Sequence, residues 1–595
     1  MKNTRSMKLL ASLTTVVAGL AMAAGGAITA SAANRPAVSV AITGDAAKGR
    51  TYKAVKLADY TDVDESSTPF AVSVATVADP TIQTAAKSTL DAVLAPTVTN
   101  DDPMAYVAEH MSGDTSKDPE AYAGQLRDFV TALSKNADIK TQVTNSTISS
   151  VPDVNTQTPK FTFDDGIYLI EDAAPAASDA QTTLPILVST KIGGVADANQ
   201  PPFVTDEVKI KANYPGKPEK TTSQPSYNVG DLVDFTIKST VPTYTNYDPA
   251  TYVLHVNDKL SKGLSYSESL MDPKVSIDGT DLVLGTDYTI ATTATQDPTA
   301  GPVSMTFNFD NFMRGKITSK DFSLAGKQIV ITYKAILNDE AISVIYPNGS
   351  TTPTGSVHND ANVEFSNDPS DGNGGNTGKT PEGSTPVYTF KLQVNAVDKI
   401  TSRPLEGAKF TVKSLNGAQL SFVEIKDNSG AVIAYRTPLP AELSDPSVTK
   451  VSEIVSPANG EMHIDGLREG TFTVKETGAP TKDIDGNPTS KYKLLSTEDF
   501  DGKIAATYKA DKTLDTLDYS MARQDLPGLA TLIDAQNGIF QVAHVTSLAQ
   551  LPLTGAYGVT FLVSLGAILV LAGGSLYLVA RKKGQLSAAD APASL

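Results

Sequence analysis

The stretch Leu232-Val233-Asp234-Phe235-Thr236-Ile237-Lys238 decides how the middle of this chain folds. Apolar and polar side chains alternate along it with a period of two, the pattern of a β-strand that buries one face and exposes the other. Two later runs repeat the alternation at the positions Tyr252, Leu254, Val256, Ile329, Ile331 and Tyr333. Turn residues separate the runs, and no helical periodicity intervenes. The pattern predicts an antiparallel β-sandwich over residues 206–369, which we call the second block.

A further β-rich region follows this block. Residues 370–386 are rich in Gly, Asn, Ser and Thr, which is typical of a linker. Beyond them the alternation resumes at Phe390, Leu392, Val394, Ala396, Phe472, Val474, Phe540 and Val542. We predict a second β-sandwich over residues 387–548, the third block.

Residues 33–205, the first block, mix two periodicities. Val38, Val40 and Ile42 alternate as in a strand. Asp118-Pro119 is typical of a helix start, and the residues that follow it on one helical face are Tyr122, Leu126, Phe129, Val130 and Leu133. The first block is therefore predicted to be an α+β domain, and the whole chain to be a mostly β, multi-domain protein.

Both ends of the chain carry targeting signals. Residues 1–32 combine basic residues, an apolar stretch and the small-residue cleavage site Ala30-Ser31-Ala32, which predicts a secretory signal peptide. Residues 559–580 are apolar, uncharged and long enough to span a bilayer as a transmembrane helix. The basic triplet Arg581-Lys582-Lys583 opens a tail, 581–595, that we expect to be cytoplasmic.

Composition excludes several classes of function. The 595 residues include no cysteine, so any covalent cross-link is of another kind than a disulfide. The net charge of -17 argues against nucleic acid as a partner. The five histidines are scattered, and no nucleophile motif stands beside a base. We expect that the protein binds no metal or cofactor and that it is not an enzyme that turns over a substrate.

The pentapeptide Leu551-Pro552-Leu553-Thr554-Gly555 lies just before the predicted membrane span. The ordered triple of LPLTG, apolar span and basic tail resembles the wall-sorting signal of Gram-positive surface proteins. In that family a sortase cuts between the threonine and the glycine, here Thr554 and Gly555. The enzyme then transfers the threonine carbonyl to an amine. The resemblance implies that the membrane holds only the precursor and that peptidoglycan or another subunit receives the chain.

Two polar residues of the second block stand where the alternation demands apolar ones. Asp258 shares the parity of Val256 and Leu260, and Asn359 shares that of Val357 and Ala361. Both should point inward, where an unpaired carboxylate is costly. On alternation alone, a hydrogen-bonded polar pair within the core is the simpler explanation, and a reactive pair is the alternative.

Three stretches of this block resemble the middle domain of sortase-assembled fimbrial shaft proteins. They are Tyr227 to Ile237, Asp258 to Tyr266 and Val363 to Pro369. Such domains form a spontaneous Lys–Asn isopeptide bond assisted by an acidic residue. Carried over by position, the lysine is Lys220, the acid is Asp258 and the acceptor is Asn359. Burial would disfavour the charged forms of lysine and acid, leaving a nucleophilic amine and a proton donor that polarises the Asn359 carboxamide.

The third block resembles a collagen-adhesin B-type domain but departs from it. The resemblance rests on Asp398-Lys399-Ile400-Thr401, on Pro404 to Phe410 and on Val474 to Pro480. Glu476 matches that family's assisting acid.

The bonding pair of that family is missing from the third block. Ala396 stands where the family has its lysine, and His544 stands where it has its asparagine. We therefore predict no bond in this block and a contact between Glu476 and a neighbour such as His544. Lys391 and Lys399 remain alternative nucleophiles.

Polymerisation in the fimbrial family also needs an exposed lysine between the first two domains, usually in a V-x-V-Y-P-K stretch. Here Tyr214-Pro215-Gly216-Lys217 places glycine at the usual lysine position. Lys217 is our candidate for the intersubunit amine. An ordinary solvated lysine is the alternative.

These observations predict a structural subunit of a sortase-polymerised fimbria of a Gram-positive bacterium, secreted, anchored in the cell wall and mediating adhesion. Its partners would be sortase, other subunits, peptidoglycan and an unidentified host or cell-surface receptor. A monomeric wall-anchored adhesin and a basal or capping minor subunit are the alternatives.

Overall fold

The computed structural model describes residues 35–44, 47–64, 71–94, 102–111, 124–173, 182–192, 205–210, 214–369, 376–414, 416–494, 499–524 and 528–551. The predicted signal peptide (1–32), helix start Asp118-Pro119, membrane span (559–580), tail (581–595) and the motif residues 552–555 lie outside the described residues. Among the described helices, none combines the length and the apolar composition needed to cross a membrane.

The first block packs four helices and two sheets. Its elements are β1 (Val38–Thr43), β2 (Tyr52–Asp64), β3 (Ala71–Thr76), α1 (Pro80–Leu94), α2 (Pro103–His110), α3 (Gln125–Lys135), α4 (Ala137–Asn145), β4 (Val151–Pro152), β5 (Pro159–Phe163), β6 (Ile167–Asp172), β7 (Ile186–Ser189) and β8 (Glu207–Lys209). The sheet β3-β2-β6-β7 buries one face under the helices and the other against the sheet β4-β5-β1-β8. Burial on both faces explains the uninterrupted apolar run of β6.

The second block is the predicted antiparallel sandwich. Its elements are β9 (Glu219–Thr222), β10 (Leu232–Thr240), β11 (Leu254–Leu260), β12 (Leu264–Tyr266), β13 (Lys274–Ile277), β14 (Thr280–Leu282), β15 (Thr289–Thr292), β16 (Thr299–Ala300), β17 (Val303–Asn308), α5 (Asp310–Thr318), β18 (Gln328–Leu337), α6 (Glu340–Ile345), β19 (Val357–Ser366), β20 (Thr377–Lys379) and β21 (Gly383–Val387). One sheet has the order β14-β13-β18-β10-β9, and the facing sheet has the order β15-β17-β11-β19-β20, with β21 also paired to β19.

The structure differs from the sequence prediction at both edges of this block. β8 pairs with β1, so it completes a sheet of the first block although 206 was the predicted start of the second. Strands β20 and β21 occupy part of the predicted linker 370–386 and pair with β19. Edge strands such as these pair through their backbone, and therefore their composition need not alternate.

Two short helices of the second block, α5 and α6, were also not predicted. α5 has only Met313 and Ile317 as fully buried residues, and α6 only Ala341 and Ile345. One buried pair four residues apart is too little to register as a helical period.

The third block is a sandwich of two sheets. Its elements are β22 (Phe390–Asp398), β23 (Lys409–Ser414), β24 (Phe422–Lys426), β25 (Val432–Arg436), α7 (Pro440–Ser444), β26 (Lys450–Val451), β27 (Ile454–Val455), β28 (Glu461–Leu467), β29 (Gly470–Gly478), β30 (Asp499–Tyr508), β31 (Leu514–Gln524), β32 (Ala530–Asp534) and β33 (Ile539–His544). The sheets have the orders β26-β24-β25-β28-β22-β33-β32 and β27-β23-β29-β30-β31. The first strand, β22, and the last, β33, are parallel neighbours.

The second and third blocks join through the segment that precedes β10. The Val229 amide donates to the Gly466 carbonyl at 2.8 Å, and the Thr437 hydroxyl donates to the Val229 carbonyl. Gly230 has a φ of +90°, and a Cβ there would lie 2.1 Å from the Pro438 carbonyl oxygen. Only glycine fits this position, because both the backbone conformation and the close approach exclude a side chain.

We predict that Gly230→Ala loosens the junction between the second and third blocks. The added Cβ would collide with the Pro438 carbonyl and strain the left-handed backbone, at a cost of about 1–3 kcal/mol or more. Hydrogen exchange at the Val229 amide, which donates to Gly466 across the junction, should accelerate roughly tenfold or more.

Gly279 provides the matched control for this change. It also has a positive φ, +77°, but a Cβ there would meet no heavy atom within 4 Å among the described residues. Gly279→Ala should strain its own turn and leave exchange at the junction unchanged. Equal effects of the two substitutions at the junction would contradict the packing argument.

Candidate functional site

The second block brings the three predicted site residues together between its sheets. Lys220 lies on β9 opposite Ile237, at the edge of one sheet. Asp258 on β11 and Asn359 on β19 come from neighbouring strands of the facing sheet, where Asn359 lies opposite Leu260. The alternation of each strand directs these side chains inward, as the sequence predicts.

Burial of this cluster is complete or nearly so. The side chains of Lys220 and Asp258 are both 0% exposed, and Asn359 is 0% exposed as a residue. Lys220 Nζ donates to Asp258 Oδ1. An amine and a carboxylate in direct contact thus lie inside an apolar core that contains Phe235 and Phe307.

Tyr333 is the member of the site that sequence reasoning missed. Its hydroxyl accepts from Lys220 Nζ at 3.3 Å and from Asn359 Nδ2, and it donates to Asp258 Oδ2. The hydroxyl therefore contacts all three predicted residues. The sequence could have indicated its role, because Tyr333 occupies an inward position of the predicted strand and a buried tyrosine hydroxyl requires a hydrogen-bond partner.

Burial shifts the Lys220 amine toward its neutral form. Burial lowers the pKa of Lys220 from its ordinary value, and the Asp258 carboxylate opposes part of this effect. The amine also lies 5.4 Å from the ring centroids of Phe235 and Tyr333, and these rings favour its charged form, so they too oppose part of the effect of burial. Burial raises the pKa of Tyr333 well above its ordinary value, so its hydroxyl keeps its proton.

The contacts of Asn359 differ from the simplest expectation. The sequence analysis predicted that Asp258 contacts and polarises the Asn359 carboxamide directly. Among the described residues, however, no hydrogen bond joins Asp258 to Asn359. The Tyr333 hydroxyl lies between them. Asn359 Oδ1 is buried without a hydrogen-bond partner in the described structure.

In the third block the corresponding positions form a different cluster. Ala396 on β22, Glu476 on β29 and His544 on β33 are all buried. His544 Nε2 lies 3.1 Å from Glu476 Oε1, which is the contact that the sequence suggested. The structure thus places an imidazole beside the acid, and the methyl group of Ala396 lies at the position that the resemblance assigned to the lysine.

The two alternative lysines of the third block point elsewhere. Lys391 Nζ lies 4.5 Å from the ring centroid of Tyr346, at the junction with the second block. Lys399 Nζ donates to the Gly528 carbonyl at 2.7 Å. In the described contacts neither amine meets Glu476.

The Tyr214–Lys217 loop connects the first and second blocks. Lys217 and Gly216 are exposed, whereas Pro215 and Pro218 on either side are buried. The guanidinium carbon of Arg50 lies 5.1 Å from the ring centroid of Tyr214. An exposed amine is therefore held on a loop whose flanks are fixed to the protein.

Of the sorting motif, only Leu551 falls within the described residues, and it is buried with Leu529 and Val545. Pro552, Leu553, Thr554 and Gly555 lie outside them. Across the described ranges, no group of three or more His, Asp or Glu side chains could hold a metal ion.

Comparison with known families gives two matches. Residues 390–492 match the SpaA family, described as a prealbumin-like fold domain. Residues 543–585 match the Gram-positive LPXTG cell wall anchor motif. The second match covers both the pentapeptide and the predicted membrane span.

The similarity of the chain to individual proteins is low in sequence identity. The chain is 23% identical over 291 residues to the trypsin-resistant surface T6 protein of Streptococcus pyogenes serotype M6, and the match covers 43% of this chain and 48% of that protein. The chain therefore spans about half the length of this curated relative.

Two solved structures are similar across most of the chain. The T6 backbone pilin of S. pyogenes has 16% identity, a TM-score of 0.46 and coverage of 86% of this chain and 99% of its own. The full-length major pilin SpaD of Corynebacterium diphtheriae has 17% identity, a TM-score of 0.42 and coverage of 79% and 91%. The chain carries a Gram-positive LPXTG cell wall anchor and a prealbumin-like domain, and it is similar to backbone and major pilins of Gram-positive bacteria.

Proposed function

We propose that this protein is the structural subunit of a sortase-polymerised fimbria and that it mediates adhesion from the cell wall. The observation that carries the proposal is the match to the LPXTG cell wall anchor at 543–585, which begins at the end of the last β-strand of the third block. Sortase would break the bond between the Thr554 carbonyl carbon and the Gly555 nitrogen. An amide to an amine of the next subunit would replace it.

Lys217 is the amine that we propose for this linkage. It is exposed, it stands beside a glycine and it lies on a loop with buried flanks. The attacking amine must enter the active site of sortase. Because Lys217 is exposed on this loop, its amine can do so without local unfolding of the protein. Peptidoglycan would provide the amine for the last subunit.

We further propose that Lys220 and Asn359 form an intramolecular isopeptide bond. A neutral Lys220 amine attacks the Asn359 carboxamide carbon, a C–N bond forms, and Nδ2 leaves as ammonia. Asp258 accepts and returns the protons, and the folded core supplies the effective concentration of the reactants. The reaction occurs once per chain, so the protein is not a turnover enzyme.

The third block should form no such bond, because both its amine and its acceptor are replaced.

A monomeric wall-anchored adhesin, or a basal or capping subunit, is the competing function. It would share every domain but would not use Lys217.

We predict that the mature chain is lighter than its sequence mass by one ammonia. Peptide mass spectrometry should find a linked peptide that joins Lys220 to Asn359. Asn359→Ala should abolish the loss and make the second block more sensitive to protease, because the covalent link between its sheets is gone.

Asn362 on the same strand provides the control, since its side chain is half-buried on the outward face. Asn362→Ala should retain the bond. A loss of two ammonia molecules would refute the proposal for Ala396 and His544, and no loss would refute the bond itself.

We predict that Lys217→Arg abolishes the covalent ladder of multimers in wall extracts boiled in detergent. Arginine keeps the charge but is not a nucleophile for the acyl intermediate. Lys209→Arg, which changes another exposed lysine on β8, should leave the ladder intact. A persistent ladder in Lys217→Arg would assign the linkage to a different amine, and a single band in the unaltered protein would favour the monomeric adhesin.

We predict a specific pH dependence for the unbonded variant Asn359→Ala. The pKa of Lys220 in the folded chain lies below the ordinary value of 10.5, so between these two values the unfolded state binds more protons. The unfolding free energy should therefore rise with pH, by up to about 1.4 kcal/mol per pH unit. Above the ordinary value of 10.0 for tyrosine, the raised pKa values of Tyr333 and of other buried tyrosines of this block, such as Tyr252 and Tyr244, lower the unfolding free energy as pH rises and oppose this trend.

Denaturant unfolding of the second block measures this dependence, and Lys220→Met/Asn359→Ala is its control. Methionine keeps most of the side-chain volume and removes the titrating group. The double variant should lose the rise below pH 10. Parallel curves for the two variants would show that Lys220 is not the group responsible.

A further inference from the structure

We propose that Tyr333 is a catalytic residue of the Lys220–Asn359 reaction and that its hydroxyl relays a proton between Asp258 and the Asn359 carboxamide. The inference rests on the proposed isopeptide bond and assigns a step of its chemistry to a residue outside the lysine, acid and asparagine.

The contacts of the cluster place Tyr333 at its centre. Its hydroxyl contacts Lys220 Nζ, Asp258 Oδ2 and Asn359 Nδ2 at once. Asp258 and Asn359 share no hydrogen bond in the described structure, so a proton travelling between them must pass through an intermediate group. With the Lys220 and Asp258 side chains and the whole of Asn359 at 0% exposure, bulk water does not reach the cluster.

The two ends of the carboxamide make the relay possible. In the resting arrangement Nδ2 donates to the hydroxyl, and Oδ1 has no partner within the described residues. The two ends have nearly the same shape, so a half-turn about the Cβ–Cγ bond brings Oδ1 to the hydroxyl instead. The hydroxyl then donates to Oδ1 and accepts from a protonated Asp258.

The protons balance along this path. A proton passes from the Lys220 ammonium to Asp258, which leaves a neutral amine and a carboxylic acid and avoids two buried charges. As the amine attacks, the carbonyl oxygen takes the Tyr333 proton and Tyr333 takes the Asp258 proton. Asp258 then removes one proton from the new C–N nitrogen.

The same path serves the collapse of the intermediate. In the tetrahedral intermediate the oxygen and the departing nitrogen are bonded to the same carbon, so the Tyr333 hydroxyl can serve each in turn. Asp258 returns a proton through Tyr333 to the departing nitrogen, which leaves as ammonia with the electrons of its C–N bond. Re-formation of the carbonyl then releases the oxygen's proton back to Asp258. The products are one secondary amide, one ammonia and a protonated acid, and no external reactant is required.

The test compares Tyr333→Phe with Tyr252→Phe in the full-length chain, synthesised by cell-free translation with detergent present. Each substitution removes one buried hydroxyl from the same core and keeps the ring. The Tyr252 hydroxyl has no hydrogen-bond partner among the described residues and lies outside the cluster. The linked peptide containing Lys220 and Asn359 is quantified against time by mass spectrometry.

We expect Tyr333→Phe to slow bond formation by roughly 100-fold or more, the contribution typical of a general acid–base group. Tyr252→Phe should react at the unaltered rate. Equal rates for Tyr333→Phe and the unaltered chain would overturn the relay while leaving the isopeptide bond established. Absence of the linked peptide from the unaltered chain would instead overturn the bond.

A second substitution distinguishes chemistry from packing. Tyr333→3-fluorotyrosine, introduced at this one position, keeps the shape of the ring but makes the hydroxyl more acidic. A relay predicts a changed rate of bond formation, whereas a purely structural hydroxyl predicts an unchanged rate and would refute the proposal. The fluorotyrosine result decides the question even if Tyr333→Phe fails to fold. Protease resistance of Tyr333→Phe equal to that of Asn359→Ala would show that the variant is folded.

Discussion

The structure of the second block depends on how an amine and a carboxyl group are held in a core that water does not reach. Lys220 and Asp258 touch each other with their side chains fully buried, and burying such a pair costs more than a well-packed apolar pair of the same volume. The cost is reduced if the proton moves from nitrogen to oxygen. It falls further if the amine becomes an amide, because the acid then faces a neutral group. The burial of this pair therefore supports the proposed conversion of this lysine.

The edges of the block explain why the cluster stays dry. β21 pairs with β19 beside Asn359, and a Cβ at Gly383 on β21 would lie 2.0 Å from the Pro218 carbonyl oxygen. The chain just before Lys220 is thus packed against the strand that covers Asn359. A segment that looks like a linker in composition closes the open side of the sandwich.

The sequence predicts the buried cluster only in part, and the reason lies in what alternation can detect. Asp258 and Asn359 were found because a polar residue at an inward position breaks the pattern. Tyr333 was missed because tyrosine counts as apolar in the same pattern, and only the structure shows which groups its hydroxyl meets. Strands β20 and β21 were missed because edge pairing requires backbone groups but not side-chain alternation.

The two sandwiches differ in how their end strands would bear a load, and this difference fits the residues that each retains. In the third block, β22 and β33 are parallel neighbours with six paired residues from Gln393↔Ile539 to Asp398↔His544. Tension on the start of β22 and the end of β33 would shear all these hydrogen bonds together. In the second block, the first strand β9 belongs to one sheet, and the last strand β21 and its partner β19 belong to the other. No ladder joins β9 to either of them in the described structure. Tension there would separate sheet from sheet unless a covalent bond joined them. The block without a backbone ladder between its end strands is thus the one that keeps a lysine and an asparagine in place, whereas the other has an imidazole beside its remaining acid.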